Sequence, residues 1–178
     1  IKIDLGPDIE AALGDSVYLW LQSSLPTTSL DTVIWQPLLD SNSTGKPYQH
    51  FLPVHSGKVV AMVTDSNGCV AEDVIILTLS RNRRVYLPNI FCPESDQNGR
   101  FKIGVGNDVE KVKVLEIYDR WGEKVYEARN FSPLDSPVGW DGTFRGQKMP
   151  PGVYACFLYI QFKDGESEIF TSSLTLLR

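Results

Sequence analysis

The feature that most constrains this chain is the rhythm of its apolar runs. Short stretches rich in Val, Ile, Tyr and Phe recur along it, divided by turn residues at roughly the 8–12-residue spacing of all-β domains. Lys58-Val59-Val60-Ala61-Met62-Val63 and Val74-Ile75-Ile76-Leu77-Thr78-Leu79 flank Asn67-Gly68. Residues 153–162 and 168–177 flank Asp164-Gly165, and residues 111–118 and 123–127 flank a turn at 119–122. Asn-Gly and Asp-Gly tolerate the positive φ that a tight hairpin needs, so these sites predict hairpins. Helical periodicity is almost absent.

A break in composition falls near Ser80. Residues 1–80 hold three basic and nine acidic side chains, for −6; residues 81–178 hold fourteen and thirteen, for +1. Fourteen of the nineteen aromatics lie after residue 80. A length of 178 residues fits two small domains, and 42% hydrophobic content is enough to give each a core. The predicted division is a domain at 1–80, a linker at 81–84 and a domain at 85–178. The arginines of Ser80-Arg81-Asn82-Arg83-Arg84 are expected to keep that hinge solvated. The net charge of −5 argues against nucleic acid as a partner. No run reaches the roughly 18 apolar residues of a membrane-spanning helix. The chain starts directly on the alternation Ile1-Lys2-Ile3-Asp4-Leu5 with no basic and apolar leader, and so reads as a piece of something longer.

In the first half, residues 16–21 predict an early strand, and Val33-Ile34-Trp35 a central strand whose Trp fills a two-sheet core. Cys69 is the only cysteine there, so that core has no internal disulfide. On Leu5-Gly6-Pro7-Asp8, Gly14-Asp15-Ser16-Val17, Ile34-Trp35-Gln36-Pro37 and residues 63–69, this half resembles the PKD-like or Ig-like repeats of bacterial cell-surface proteins. The resemblance implies a spacer or stalk. The fold class expected for the whole chain is all-β, with two tandem Ig-like β-sandwich domains of about seven strands each.

Catalytic and metal-binding patterns are missing. Cys69, Cys92 and Cys156 have no C-x-x-C spacing and lie far from His50 and His55, which argues against zinc. The odd count leaves at least one thiol unpaired, with three single-bridge pairings open. Cys156, on the apolar alternation of 154–162, reads as a small buried hydrophobe. No Gly-x-Ser-x-Gly, Gly-x-x-x-x-Gly-Lys or His-Glu-x-x-His is present. His50 falls in a Pro-flanked loop, 47–53, with His55 just past it, and both read as surface residues. Glu166 and Glu168, beside a tight turn, read as a solvated edge. The chain is therefore expected to be no enzyme and to need no cofactor.

The second half carries a series of distinctive motifs. It runs Tyr86-Leu87-Pro88-Asn89-Ile90-Phe91-Cys92-Pro93, then Ile117-Tyr118-Asp119-Arg120-Trp121-Gly122-Glu123-Lys124-Val125-Tyr126, Gly139-Trp140-Asp141-Gly142-Thr143, and Pro151-Gly152-Val153-Tyr154. It closes on Leu174-Thr175-Leu176-Leu177-Arg178. In this order the series resembles the gliding-motility-associated C-terminal domain of Bacteroidetes, the type B sorting domain of the type IX secretion system, over residues 85–178. The resemblance implies a secretion-address domain that directs a large surface adhesin or secreted enzyme through the periplasm and the outer-membrane translocon. Its destination is then the cell surface or the medium. The implied partner is the type IX machinery, either the translocon or a PorP/SprF-like outer-membrane protein, and the fragment itself is expected to be monomeric.

Such a domain offers a docking surface. The candidates for it are Asp119, Arg120, Trp121, Gly122, Gly139, Trp140, Asp141, Gly142, Gly152, Tyr154, Leu174, Leu176 and Arg178. Two routes are open: an exposed edge on the last strand, 169–177, or an arginine and aromatic patch at the 119–122 turn. The bland role of Trp121-Gly122 is turn chemistry with the indole folded over the sheet. For Trp140-Asp141-Gly142 it is a Trp plugging the sandwich, with Asp141 in an Asx turn. Glu94, Asp96 and Asn98 imitate the start of a calcium loop, but Val105 stands where the closing Glu belongs and Arg100 and Lys102 lie close by. A solvated turn is the better reading of that segment. The alternative function is a carbohydrate-binding or adhesive module using Trp121, Trp140 and Tyr126 as stacking platforms, which requires all three rings to face solvent.

Overall fold

The computed structural model describes residues 1–37, 45–95, 99–133 and 138–178. Among these residues it is all-β apart from a single 3₁₀ turn at Thr27–Ser29, and the chain divides into two compact units, Ile1–Arg81 and Asn82–Arg178.

The first unit contains β1 (Ile3–Asp4), β2 (Ile9–Ala12), β3 (Val17–Trp20), β4 (Gln22–Ser23), β5 (Leu30–Gln36), β6 (Tyr48–Phe51), β7 (Gly57–Asp65) and β8 (Val70–Ser80). A four-stranded sheet runs β2-β8-β7-β5, and the antiparallel pairs β3–β6 and β1–β4 complete the unit. Alternation along the strands sends Val59, Ala61, Val63, Ile75 and Leu77 into one core with Val17 and Leu19. Trp35 is 3% exposed in the same core, and its indole N–H donates to the Lys46 carbonyl at 3.0 Å. That bond satisfies the one polar atom of a buried ring. The β7–β8 hairpin turns at Asn67-Gly68, with Gly68 at φ +82° and the Asp65 carboxylate accepting the N–H groups of Asn67 and Cys69.

The second unit contains β9 (Val85–Tyr86), β10 (Ile90–Phe91), β11 (Gly104–Val105), β12 (Val109–Tyr118), β13 (Lys124–Phe131), β14 (Thr143–Phe144), β15 (Gln147–Lys148), β16 (Gly152–Phe162) and β17 (Ser167–Leu176). Its main sheet runs β10-β17-β16-β12-β13, flanked by the pairs β9–β11 and β14–β15. Two-residue pairs bring the described strands to eight in the first unit and nine in the second. One face of the main sheet contributes Val112, Leu115, Ile117, Cys156, Leu158, Ile160, Leu174 and Leu176 to a core closed by Phe91, Phe101 and Trp140. All three cysteines are free. Burial pushes the Cys156 thiol up to about 12, so it stays protonated and packs as an apolar side chain.

Of the three hinge arginines, Arg81 and Arg84 are exposed as expected, whereas Arg83 is partly buried. Arg83 is docked on the second unit. Its N–H donates to Asp108 at 2.8 Å, its guanidinium reaches Asp164 at 3.4 Å and Glu168 at 3.7 Å, and it lies 4.5 Å from the Phe162 ring centroid. The nearly buried Asp164 carboxylate and the flat Phe162 ring give the guanidinium more than water does, so the linker does not extend through Arg83 as a solvated segment.

Candidate functional site

The motif residues of the second unit meet at one end of the five-stranded sheet. Register sets Tyr118 opposite Ala155 and Gly152 opposite Leu176, which gathers the end of β12, the start of β16 and the end of β17. At that end the β12–β13 hairpin turns at 119–122. The Asp119 carboxylate accepts the N–H groups of Trp121 at 2.8 Å and Glu123 at 2.9 Å, the Gly122 N–H donates to the Asp119 carbonyl, and Gly122 sits at φ +82°. A short acidic side chain and a glycine thus lock the tip.

The tip presents Trp121 at 85% exposure, the most exposed large apolar side chain among the described residues. The indole is not folded over the sheet as turn chemistry alone suggested. Arg120 is also exposed, and a Cβ added at Gly152 would stand 3.4 Å from its guanidinium. Two motifs distant in sequence, Arg-Trp-Gly and Pro-Gly-Val-Tyr, are therefore neighbours. Charges of both signs stand at this end: Arg145 lies 4.0 Å from Glu123, and Glu94 meets Lys148 at 3.2 Å and Arg178 at 3.9 Å. Arg178 is a brace as well as a charge, since its guanidinium donates to the carbonyls of Met149 and Gly142, both at 3.0 Å.

Six of the expected docking residues are interior instead. Gly139, Trp140, Gly142, Tyr154, Leu174 and Leu176 are buried, so they support this end and present no side chain to a partner. Trp140 is the plug. It bridges Phe101 through paired main-chain bonds, lies 5.5 Å from Phe91 and 5.0 Å from Tyr154, and donates its indole N–H to the Thr143 carbonyl. Gly139 must lack a Cβ because one would lie 2.5 Å from the Phe101 carbonyl oxygen. Tyr154 donates its hydroxyl to the Pro150 carbonyl, and burial, together with the Asp119 charge, raises its pKa above the ordinary phenol value. Asp141 forms the Asx turn, accepting from both the N–H and the hydroxyl of Thr143. Burial pushes its pKa up, but those bonds and the charge of Arg100 outweigh it and leave the carboxyl below its ordinary value.

The stacking platform proposed for this half does not exist. Trp140 is 1% exposed, and Tyr126 packs against the core, leaving Trp121 alone. The last strand is paired along its whole length with β16, and β10 covers only its far end, at Thr175 and Leu176. In the calcium imitation, Glu94 pairs with Lys148 and Arg178, while Asp96 and Asn98 lie outside the described residues. Among the described residues no group of three His, Cys, Asp or Glu side chains is placed to hold a metal. Arg145 and Lys148, which pair with Glu123 and Glu94, lie in a stretch whose only sequence signal is turn-like Gly146.

The class this defines is an all-β protein of two units, whose distinctive residues build one surface of the second. The chain belongs to the CHU_C type IX secretion signal domain family, whose model matches residues 85–176. Membership gives it a sorting-related role in type IX secretion and links it to a secreted or cell-surface protein; a secretion signal family is not a catalytic one. No curated protein matches the chain. Among solved structures it is similar to dimeric latent PorU from Porphyromonas gingivalis, at 13% identity and TM-score 0.36 over 97% of this chain and 19% of that one. It is also similar to SGBP-B of the Bacteroides ovatus mixed-linkage glucan utilization locus, solved with a mixed-linkage heptasaccharide, at 12% identity and TM-score 0.37 over 97% and 43%. The insect immune protein hemolin matches at 13% identity and TM-score 0.40 over 98% and 46%. The chain spans less than half of each. No helix among the described residues is long and apolar enough to cross a membrane.

Proposed function

We propose that the second unit is a folded, non-catalytic address, read by the type IX translocon or a PorP/SprF-like outer-membrane partner through the Arg120–Trp121 hairpin tip. The first unit is then an Ig-like spacer. The observation that carries this reading is Trp121: 85% exposed, yet held by a turn that Asp119 locks. An indole this exposed, beside an arginine and among the family motifs, has the character of an interface anchor.

The test is export. The whole chain is fused behind a periplasm-targeted reporter in a type IX-competent host, and reporter is measured outside the cell. Wild type is expected outside. Trp121→Ala and Arg120→Ala are expected to lower export several-fold while the thermal midpoint stays put, because an exposed side chain contributes within about 0.5 kcal/mol to stability. A folded wild-type fusion that remains periplasmic, or undiminished export of both variants, sinks the reading.

A further inference from the structure

The first unit has a surface that the secretion signal family does not reach. Register between β3 and β6 sets Tyr18 opposite His50 and Trp20 opposite Tyr48. The intervening residues Leu19 and Gln49 are buried, so the pleat turns all four rings outward. Tyr18 and Trp20 are each 62% exposed. The Tyr18 and His50 rings stack with centroids 3.9 Å and planes 11° apart, and Trp20 lies 5.2 Å from Tyr48 at 42°. Lys46 Nζ stands 5.4 Å from the Tyr48 ring centroid. This unit has only five Trp, Tyr and Phe residues, and three of them stand on this face while Trp35 and Phe51 pack on its core. His50, expected in a loop, is the fourth member of the ladder because 48–51 is a strand.

We propose that this ladder binds a neutral polysaccharide chain. Flat exposed rings match the apolar C–H faces of pyranose units. Successive rows along a strand lie about 7 Å apart, so an extended polymer can meet both rows while a compact ligand needs a concavity. The Tyr18–His50 stack fixes one ring in place before the ligand arrives, which lowers the ordering cost of binding. Tyr hydroxyls, the indole N–H and the amide of exposed Gln22, next on the same alternation, supply partners for sugar hydroxyls. Charge excludes an acidic polymer: no carboxylate belongs to the ladder, and residues 1–80 carry −6. Area excludes a second copy. Covering these rings buries a few hundred Å², against roughly 800 Å² per partner in a stable protein–protein contact.

The test uses the full chain in native gels cast with hydroxyethylcellulose, arabinoxylan, galactomannan or alginate. Retardation is expected in at least one neutral gel and not in alginate. Trp20→Ala and Tyr18→Ala are expected to weaken it by at least about tenfold, the loss typical of an aromatic anchor, with circular dichroism unchanged. Trp121→Ala is expected to bind as wild type does, so the result is independent of export. No retardation in any neutral gel overturns the proposal, as does retardation that survives the combined Tyr18→Ala and Trp20→Ala variant. Retention in alginate overturns it in favour of a polyanion site. Self-association of wild type in sedimentation, abolished by Trp20→Ala, overturns it in favour of a copy–copy face.

Discussion

One side chain, aspartate, recurs at the sharp turns of the described residues. Asp65, Asp119, Asp141 and Asp164 each accept a backbone N–H two residues ahead through Oδ1. A short acceptor reaches its own backbone without a rotamer-rich stem, so the turn costs little entropy. At Asp141 the bonds also hold the carboxyl below its ordinary pKa. A group whose folded pKa lies below its unfolded value gives stability that is fully present above the unfolded value. It is lost as pH falls through the folded one. Thermal midpoints of wild type and Asp141→Asn, which keeps the Oδ1 acceptor, are expected to differ most near neutrality and to converge once pH falls below the ordinary aspartate range of about 4. A gap that persists unchanged well below that range removes the carboxylate from the account.

Among the elements, β17 has two edges of different character. The Thr175 N–H donates to the Asn89 carbonyl, on the β10 side, so the odd residues 169, 171 and 173 turn their N–H groups away from β16. Even residues bond β16 and send Phe170, Leu174 and Leu176 into the core. Thr171→Pro is expected to leave the domain folded, because that N–H is not part of the β16 ladder, whereas Ser172→Pro removes a ladder bond at a cost of about 3 kcal/mol or more. Thermal melts separate the two. The same Thr171→Pro fusion discriminates docking modes: a lost export signal with an intact fold places the partner on this edge instead of the hairpin tip. Across the sheet, the outer face of β12–β13 has spent its charges internally. Glu116 accepts from Tyr118 at 2.7 Å, from Arg129 at 3.1 Å and from Lys124 at 3.2 Å, and Glu127 pairs with both cations.

For the whole molecule, two separate cores imply that each unit folds without borrowing residues from the other. The second should stand alone from residue 82, and the role of Arg83 makes the starting point matter. A fragment of 82–178 is expected to melt cooperatively. One of 85–178, the boundary legible from composition, should be less stable by about 1–3 kcal/mol, since Asp108, 5% exposed, loses the Arg83 N–H and Phe162 loses its cation. Denaturant midpoints of the two fragments check this, and equal midpoints would show Arg83 to be incidental.

The sequence alone determined the all-β class, the three hairpins, the change of character near residue 80 and the motif series of the second half. Those are local facts: Asn-Gly and Asp-Gly choose a turn, alternation chooses a strand, and a motif is read in order. Only the tertiary structure decided which aromatics face solvent. Trp140 and Trp121 follow similar turn signals, yet one is sealed by Phe91, Phe101 and Tyr154 and the other stands in water. Trp35 and Trp20 divide the same way in the first unit. The reason is register. A one-residue slip between strands far apart in sequence exchanges the inner and outer faces, and no local pattern reports which partner a strand will find.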